Sequence, residues 1–465
     1  MLKEQLKEIA FRFFTVPEQY KLAIEEVTDE NATFHWKDVN SVEGYYIELD
    51  RHGNLLSLSQ PMMQSNERIS VQQQQQIAEQ FLTTQYAEAL HYFTLSKVTE
   101  HEDRTHFRFE QFVSGYPLAR FYCFIEIAAN GQVLDFNYKG YTKNPPSFPE
   151  KLVPKESILT KLFEADWTPT LSYLTSDSYS VPTSGLYALY ESPVVYRTYN
   201  AELESSSLDK KVDANLEVEE IIYVPMPAVA PQVPQQSIEA IIGVTSSMEI
   251  VRQAMTEEDT QAIVWREKDW QAPNDNSMES YWQEYYEQSV KAKINISTNQ
   301  LEGFVWFKER TGDLDLSYEE CQNIAISFIA TYYSEYIPYL QMKLDEPSFN
   351  ELHRACFMFS LTVDGYHVDS EFFMITVNKT TGFIDMLMTA HIDISVIEAY
   401  TPAPLLPLSE AKHALKDVDA VLKWDHSYQD DDEAEQLKYA FGHSKTKQKI
   451  RGINAFTGEL ILQKY

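Results

Sequence analysis

The chain carries one long pattern twice, and that duplication restricts its fold more than any other feature. Residues Phe107 to Tyr138 read FRFEQFVSGYPLARFYCFIEIAANGQVLDFNY, and from Cys356 the chain reads CFMFSLTVDGYHVDSEFFMITVNKTTGFIDML. Each copy has a strand-like run, a Gly-Tyr turn, a second run, a turn closed by glycine and a third run. Gly115 and Gly365 stand 250 residues apart, and Gly131 and Gly382 stand 251 apart. Within Phe121–Ile127, the side chains of Phe121, Cys123, Ile125 and Ile127 fall on one face, because a strand alternates its side chains. Asn130-Gly131 and Thr381-Gly382 read as turns in which glycine takes positive φ without a Cβ clash.

The duplication extends upstream. Ser70 followed by Gln73 and Ser317 followed by Glu320 both fit a helix capping box. The apolar positions Ile77, Ala78, Phe81 and Leu82 match Ile324, Ala325, Phe328 and Ile329, each 247 residues on, and make one helical stripe. Further upstream, Gly53 and Gly303 again stand 250 apart, whereas Trp36 and Trp265 stand 229 apart. The second copy therefore holds 21 extra residues, around DWQAPNDNSMESYWQEYYEQS, expected to form a partly helical surface excursion. A third unit follows in each half: helices from Pro154 to Phe163 and from Ser409 to Val418, then strand-like runs. Those runs are Val194–Arg197 and Leu216–Val224, after a loop at Ser205–Ser207, in the first half. In the second half they are Leu437–Phe441, Gln448–Asn454 and Glu459–Lys464. Between the halves, four prolines in residues 225–236 cannot continue a helix or a central strand, which marks an extended linker.

The expected fold is thus α+β, with two homologous halves of three tandem units, each a helix packed on a small antiparallel β-meander. The halves are 1–224, with units near 8–60, 69–141 and 153–224, and 237–465, with units near 237–310, 316–390 and 408–465. A formal charge of −32 argues strongly against a nucleic-acid surface, whose phosphates need Lys and Arg, and disfavours an anionic membrane; it would steer a basic protein or peptide partner, or serve solubility alone. The first 26 residues lack the apolar core of a signal peptide. The most apolar stretch, Ile221 to Ala230, is too short to span a bilayer. Cys123, Cys321 and Cys356 lack CxxC spacing and read as buried small hydrophobes in a reducing, cytoplasmic compartment.

No sequence pattern carries a mechanism: GxSxG, GxGxxG, a P-loop and HExxH are all absent. His101 and His106 are five apart, not the four that would share a helical face, and read as part of a solvated connector. Asp430 to Glu435 lacks the alternation and glycine of a calcium loop. Arg354 stands two residues before Cys356, which is slight support for an activated thiol. No catalytic residue, cofactor or metal ligand is therefore expected. The one candidate interaction site is the aromatic and acidic run Tyr281, Trp282, Tyr285 and Tyr286, whose composition suits a protein-binding face. The competing expectation is that these rings fold back onto the core.

The serine-opened helix, the Gly115-Tyr116 and Gly365-Tyr366 turns and the Asn130-Gly131 and Thr381-Gly382 turns resemble the YcdB/YcdC repeat family. More distantly they are similar to PepSY-type modules, small α+β domains of peptidase propeptides. The resemblance implies a multi-repeat fold with no transferable catalytic residues, and family members are mostly exported, unlike the expectation for this chain. It implies a non-catalytic binding or scaffold role, with a modulator or inhibitor of a peptidase as one alternative. A hydrolase whose site is assembled from distant residues is another.

Overall fold

Two 15-residue helices begin where the serine patterns place them. Ser70 and Gln73 exchange hydrogen bonds across the first turn of Val71–Gln85, and Ser317 and Glu320 do so for Tyr318–Tyr332. Each exchange satisfies amides that a helix start otherwise leaves unpaired. Ala78 and Leu82 in one helix, and Ala325 and Ile329 in the other, are fully buried. The structure, a computed structural model, describes residues 3–38, 44–203, 222–230, 237–257, 259–271, 273, 275–344, 353–426 and 435–464.

The first repeat is one eight-stranded antiparallel sheet. Its strands are β1 (Lys21–Val27), β2 (Asn31–Lys37), β3 (Gly44–Asp50), β4 (Leu55–Ser59), β5 (Phe93–Glu100), β6 (Arg104–Val113), β7 (Tyr116–Ala128) and β8 (Val133–Tyr138). They lie in the order β1-β2-β3-β4-β8-β7-β6-β5. Four strands follow in the chain: β9 (Thr168–Leu174), β10 (Gly185–Glu191), β11 (Thr198–Asn200) and β12 (Ile222–Pro225). The second repeat contains β13 (Met248–Met255), β14 (Thr260–Glu267), β15 (Ser289–Asn295), β16 (Gln300–Trp306), β17 (Leu340–Leu344), β18 (Arg354–Val363), β19 (Tyr366–Asn378) and β20 (Ile384–Met388). Their order, β13-β14-β15-β16-β20-β19-β18-β17, is that of the first sheet strand for strand. The chain ends in β21 (Val418–His426), β22 (Glu435–His443), β23 (Ile450–Asn454) and β24 (Leu460–Leu462).

Turn chemistry explains the shared reversal. Ser114 and Gly115 have φ of 52° and 84°, and Asp364 and Gly365 have 51° and 81°. Two central residues with positive φ match the right-handed twist of the flanking strands. The turn therefore lies one residue before the Gly-Tyr pair, and Tyr116 and Tyr366 already open the next strand. The Gly53 and Gly303 pair is not equivalent. Gly53 (φ 86°) closes the β3–β4 turn, but Gly303 lies inside β16, where a Cβ would meet the Leu387 carbonyl oxygen at 3.0 Å. Asn299, with φ of 54°, serves the second repeat's turn, a conformation asparagine tolerates.

The sheets divide the chain elsewhere than at 225–236. β9 and β10, from the first half, join the second-repeat sheet: β9 pairs in parallel with β19, and β10 pairs with β23. β11 pairs with β22, which pairs with β21. The two third units thus interleave, because the edges of each are completed by strands of the other. Among the described residues, two large cores and a small one result. One large core runs from Leu6 to Phe136, and the second joins Ile158 and Leu171 to most of the second half; the small core holds Leu174, Val181, Leu189 and Ile461. Pro225 ends β12, which pairs with β17, so the proline segment starts from a sheet rather than a free linker. Residues 231–236 lie outside the described residues, as do the Ser205–Ser207 loop, 216–221 and 430–434. Val194 and Val195 form a short 3-10 helix (Pro193–Tyr196) instead of a strand. The later helix is α-helical over Leu408–Ala411 and 3-10 over Lys412–Asp417.

Each long hairpin reaches these interleaved third units. Leu118 at the β7 tip belongs to the second core, and the Ala119 and Arg120 amides donate to the Glu435 carboxylate. At the β19 tip Val368 pairs beside Leu171.

Candidate functional site

Two sheet edges meet at one cleft. β1 ends the first sheet and β13 ends the second. A space of about 380 Å³ is lined by Lys21, Leu22 and Ala23 from β1 and by Val251 and Arg252 from β13. It adjoins a concave space of about 1020 Å³ over the second-repeat sheet, and Lys37, Asp38, Arg252 and Val264 line both. Helices cover the opposite face of that sheet: Trp306 Nε1 donates to the Ile242 carbonyl, and the Tyr333 hydroxyl to the Leu301 carbonyl.

Register decides what the uncovered face presents. Arg252, Val264, Lys291, Val305 and Met386 are partners straight across β13, β14, β15, β16 and β20. Side chains in one such row point the same way. The row is apolar with two cations near one end. Burial pushes the Lys291 ammonium down to about 8, and the Arg252 and Arg266 charges push in the same direction. Its Nζ lies 3.7 Å from the Tyr286 ring centroid and 4.9 Å from that of Phe307.

The equivalent row of the first repeat is Ile24, His35, Tyr46, Ser59 and Asp135. Burial, then Lys37, lowers His35 to about 4; burial, then Glu48, raises Tyr46 to about 12. The Asp135 carboxyl is also raised by burial. The two repeats therefore share a framework and differ in this face: polar in the first, apolar and cationic in the second.

The excursion sits at the mouth of the cleft. It forms a helix, Met278–Trp282, followed by a π-helical turn, Gln283–Glu287. The Asn276 carbonyl accepts from the Glu25 amide at 2.7 Å, which ties the excursion to the edge of β1 by one backbone hydrogen bond. Tyr281 is half-buried, its hydroxyl accepting from Lys37 Nζ at 3.1 Å and its ring 6.0 Å from His35. It joins the two repeats rather than standing on the surface. Trp282 and Tyr286 are 49% and 37% exposed, with ring centroids 5.0 Å apart. The Tyr285 side chain lies outside the described residues. Of the four aromatics, the structure brings Tyr281 to the cleft, sets the Tyr286 ring against the cleft residue Lys291, and leaves Trp282 beside Tyr286. Sequence reading missed Lys37, Arg252, Arg266 and Lys291, and the only signal for them was the position of each within its strand.

Two other charged clusters are closed on themselves. Arg451 holds Glu191 at 2.9 Å and Asp369 at 2.7 Å, which occupies both carboxylates that converge on a space near Tyr196. Asp385, 2% exposed, accepts from Arg310 and Arg354, so the arginine near Cys356 serves a buried ion pair rather than the thiol. Among the described residues, no group of three or more His, Cys, Asp or Glu is placed to hold a metal. No helix among them is long and apolar enough to cross a membrane.

These features define a class: a duplicated α+β protein in which each repeat lays a helix on an antiparallel sheet of fixed strand order. The chain belongs to the YcdB/YcdC repeated-domain family, whose model matches residues 3–140 and 233–387. It is 26% identical to YcdB of Bacillus subtilis (strain 168) over 440 residues, covering 93% of each chain. It is also 26% identical to YcdC of the same organism, covering 91% of this chain and 92% of YcdC. The solved C-terminal domain of Bacillus megaterium YpeB is 16% identical and overlaps 43% of this chain and 93% of that domain. Its TM-score of 0.27 is too low to inform the fold.

Proposed function

We propose that the protein is a non-catalytic scaffold that binds a protein or peptide in extended form, and that the cleft between β1 and β13 is its binding place. One observation carries this reading: two sheet edges line a single cleft that continues into a large apolar concavity. A sheet edge offers a row of backbone donors and acceptors to an incoming strand, and flanking pockets select its side chains. The hydrogen bond from the Glu25 amide to the Asn276 carbonyl supports this reading, since one backbone group of the β1 edge is already met in this way. Ile250, Val251 and Met255 on β13 are exposed, an apolar composition unlike that of a protected edge. A cytoplasmic location belongs to this reading, supported by three free thiols that suit a reducing compartment.

The test is the double variant Ile250→Lys/Val251→Lys, which blunts the edge as natural sheets do. Both side chains are exposed, so folding stability should change by no more than about 0.5 kcal/mol per site. Binding of a fluorescent library of extended decapeptides, read by anisotropy, should weaken at least tenfold. Undiminished binding by the folded variant would overturn the assignment of the site.

A further inference from the structure

We infer that the concavity over the second-repeat sheet binds a medium-chain alkyl carboxylate, its carboxylate at Lys291 Nζ and its chain lying across the strands over Val305 and Met386. This goes beyond the peptide reading, which rests on the edge of β13, and the two stand or fall separately.

The floor of the concavity is the first support. Val264, Lys291, Val305 and Met386 follow one another in a single row across β14, β15, β16 and β20. In the next row the partners are Ala254, Ala262, Lys293, Gly303 and Met388. Both rows line the space of about 1020 Å³. Ala254, Ala262 and Gly303 keep the second row low, whereas the first repeat has Glu26, Thr33 and Ser57 at the same places. At the far end of the floor Met388 is 39% exposed, which leaves apolar surface open to a ligand. An apolar hollow with a few convergent polar groups is what a small-molecule site presents.

Charge is the second. The Lys291 ammonium lies over the Tyr286 ring and near that of Phe307. Those rings are its partners among the described residues, and they attract a cation without neutralising it. Burial, then the Arg252 and Arg266 charges, loosens its hold on the proton, and a carboxylate at Nζ restores that hold. Glu302, an acid that lines the same space, is engaged by Thr260 Oγ1 at 3.0 Å and Asn295 Nδ2 at 3.2 Å.

Length is the third. Lys291 stands on β15 and Met386 on β20, with β16 between them. At the usual strand spacing they are about 10 Å apart. An extended alkyl chain of about eight carbons covers that distance at ordinary bond lengths. The chain runs across the strands, so it needs no backbone pairing with β13.

Calorimetric titration of the full chain with sodium hexanoate, octanoate and decanoate, with octanol and with octylammonium chloride tests this. Octanoate should bind about tenfold more tightly than hexanoate, as expected for two methylenes largely removed from water. Decanoate should gain less than threefold over octanoate, because its end passes Met386 into solvent. Octanol and octylammonium should each bind at least tenfold more weakly than octanoate. Lys291→Met should weaken octanoate at least tenfold and change octanol less than twofold. Ala262→Trp fills the floor and should abolish binding of both, with circular dichroism reporting that the variant is folded. Octylammonium or octanol binding as tightly as octanoate would overturn the proposal. So would octanoate binding that is undiminished in Lys291→Met, indifferent to chain length or absent altogether. Octanoate bound by folded Ala262→Trp would place it elsewhere and overturn the proposal as well.

Discussion

His35 shows how one residue reports on the duplication. It occupies the position of Val264 in the second repeat, and burial beside Lys37 and Tyr281 lowers its pKa to about 4. The folded chain thus resists protonation that the unfolded chain accepts, so stability falls as pH drops from about 6.5 towards 4. His106 and His367 are also lowered by burial and act in the same direction. After allowance for solvent screening, His35 should account for about 1 kcal/mol of the stability lost between pH 7 and pH 5. Urea unfolding at both pH values should show that loss reduced by this amount in His35→Gln. An identical loss in the variant would mean that His35 is solvated.

At the scale of elements, the Ser114-Gly115 turn sets the register of the longest hairpin in the first repeat. A Cβ at Gly115 would meet nothing within 4 Å, so Gly115→Ala probes backbone conformation alone. With φ at 84°, the substitution should cost about 1 kcal/mol in chemical denaturation. A neutral result would contradict the turn type. Helix starts and hairpins were legible in the sequence because their signals are local: Ser70 and Gln73 are three residues apart, and the alternation of Cys123, Ile125 and Ile127 lies within one strand. The pairing of Gly53 with Gly303 failed because equal spacing does not register that Asn299 can perform the glycine's task. The third units were only partly legible, since β10 finds its partner at β23, far along the chain.

In the whole molecule, the first-repeat sheet stands beside a second-repeat sheet that continues into β9, β10, β23 and β24, and both long hairpins reach the third units. The candidate site arises only at this scale. Lys37 comes from the first repeat, Arg252 and Lys291 come from the second, and the excursion with Asn276 and Tyr281 bridges them. No local pattern relates these residues, whereas the aromatic run 281–286 announced itself by composition and turned out to be partly a structural bridge. The chain as a whole is strongly negative, whereas Lys and Arg outnumber Asp and Glu along the cleft. Hydrogen–deuterium exchange of the full chain, with and without a saturating concentration of the tightest-binding decapeptide of the library, tests the central claim directly. The account predicts slowed exchange concentrated in residues 248–255, the edge strand β13. Protection confined to other segments, or none in β13 with the peptide bound, would contradict it.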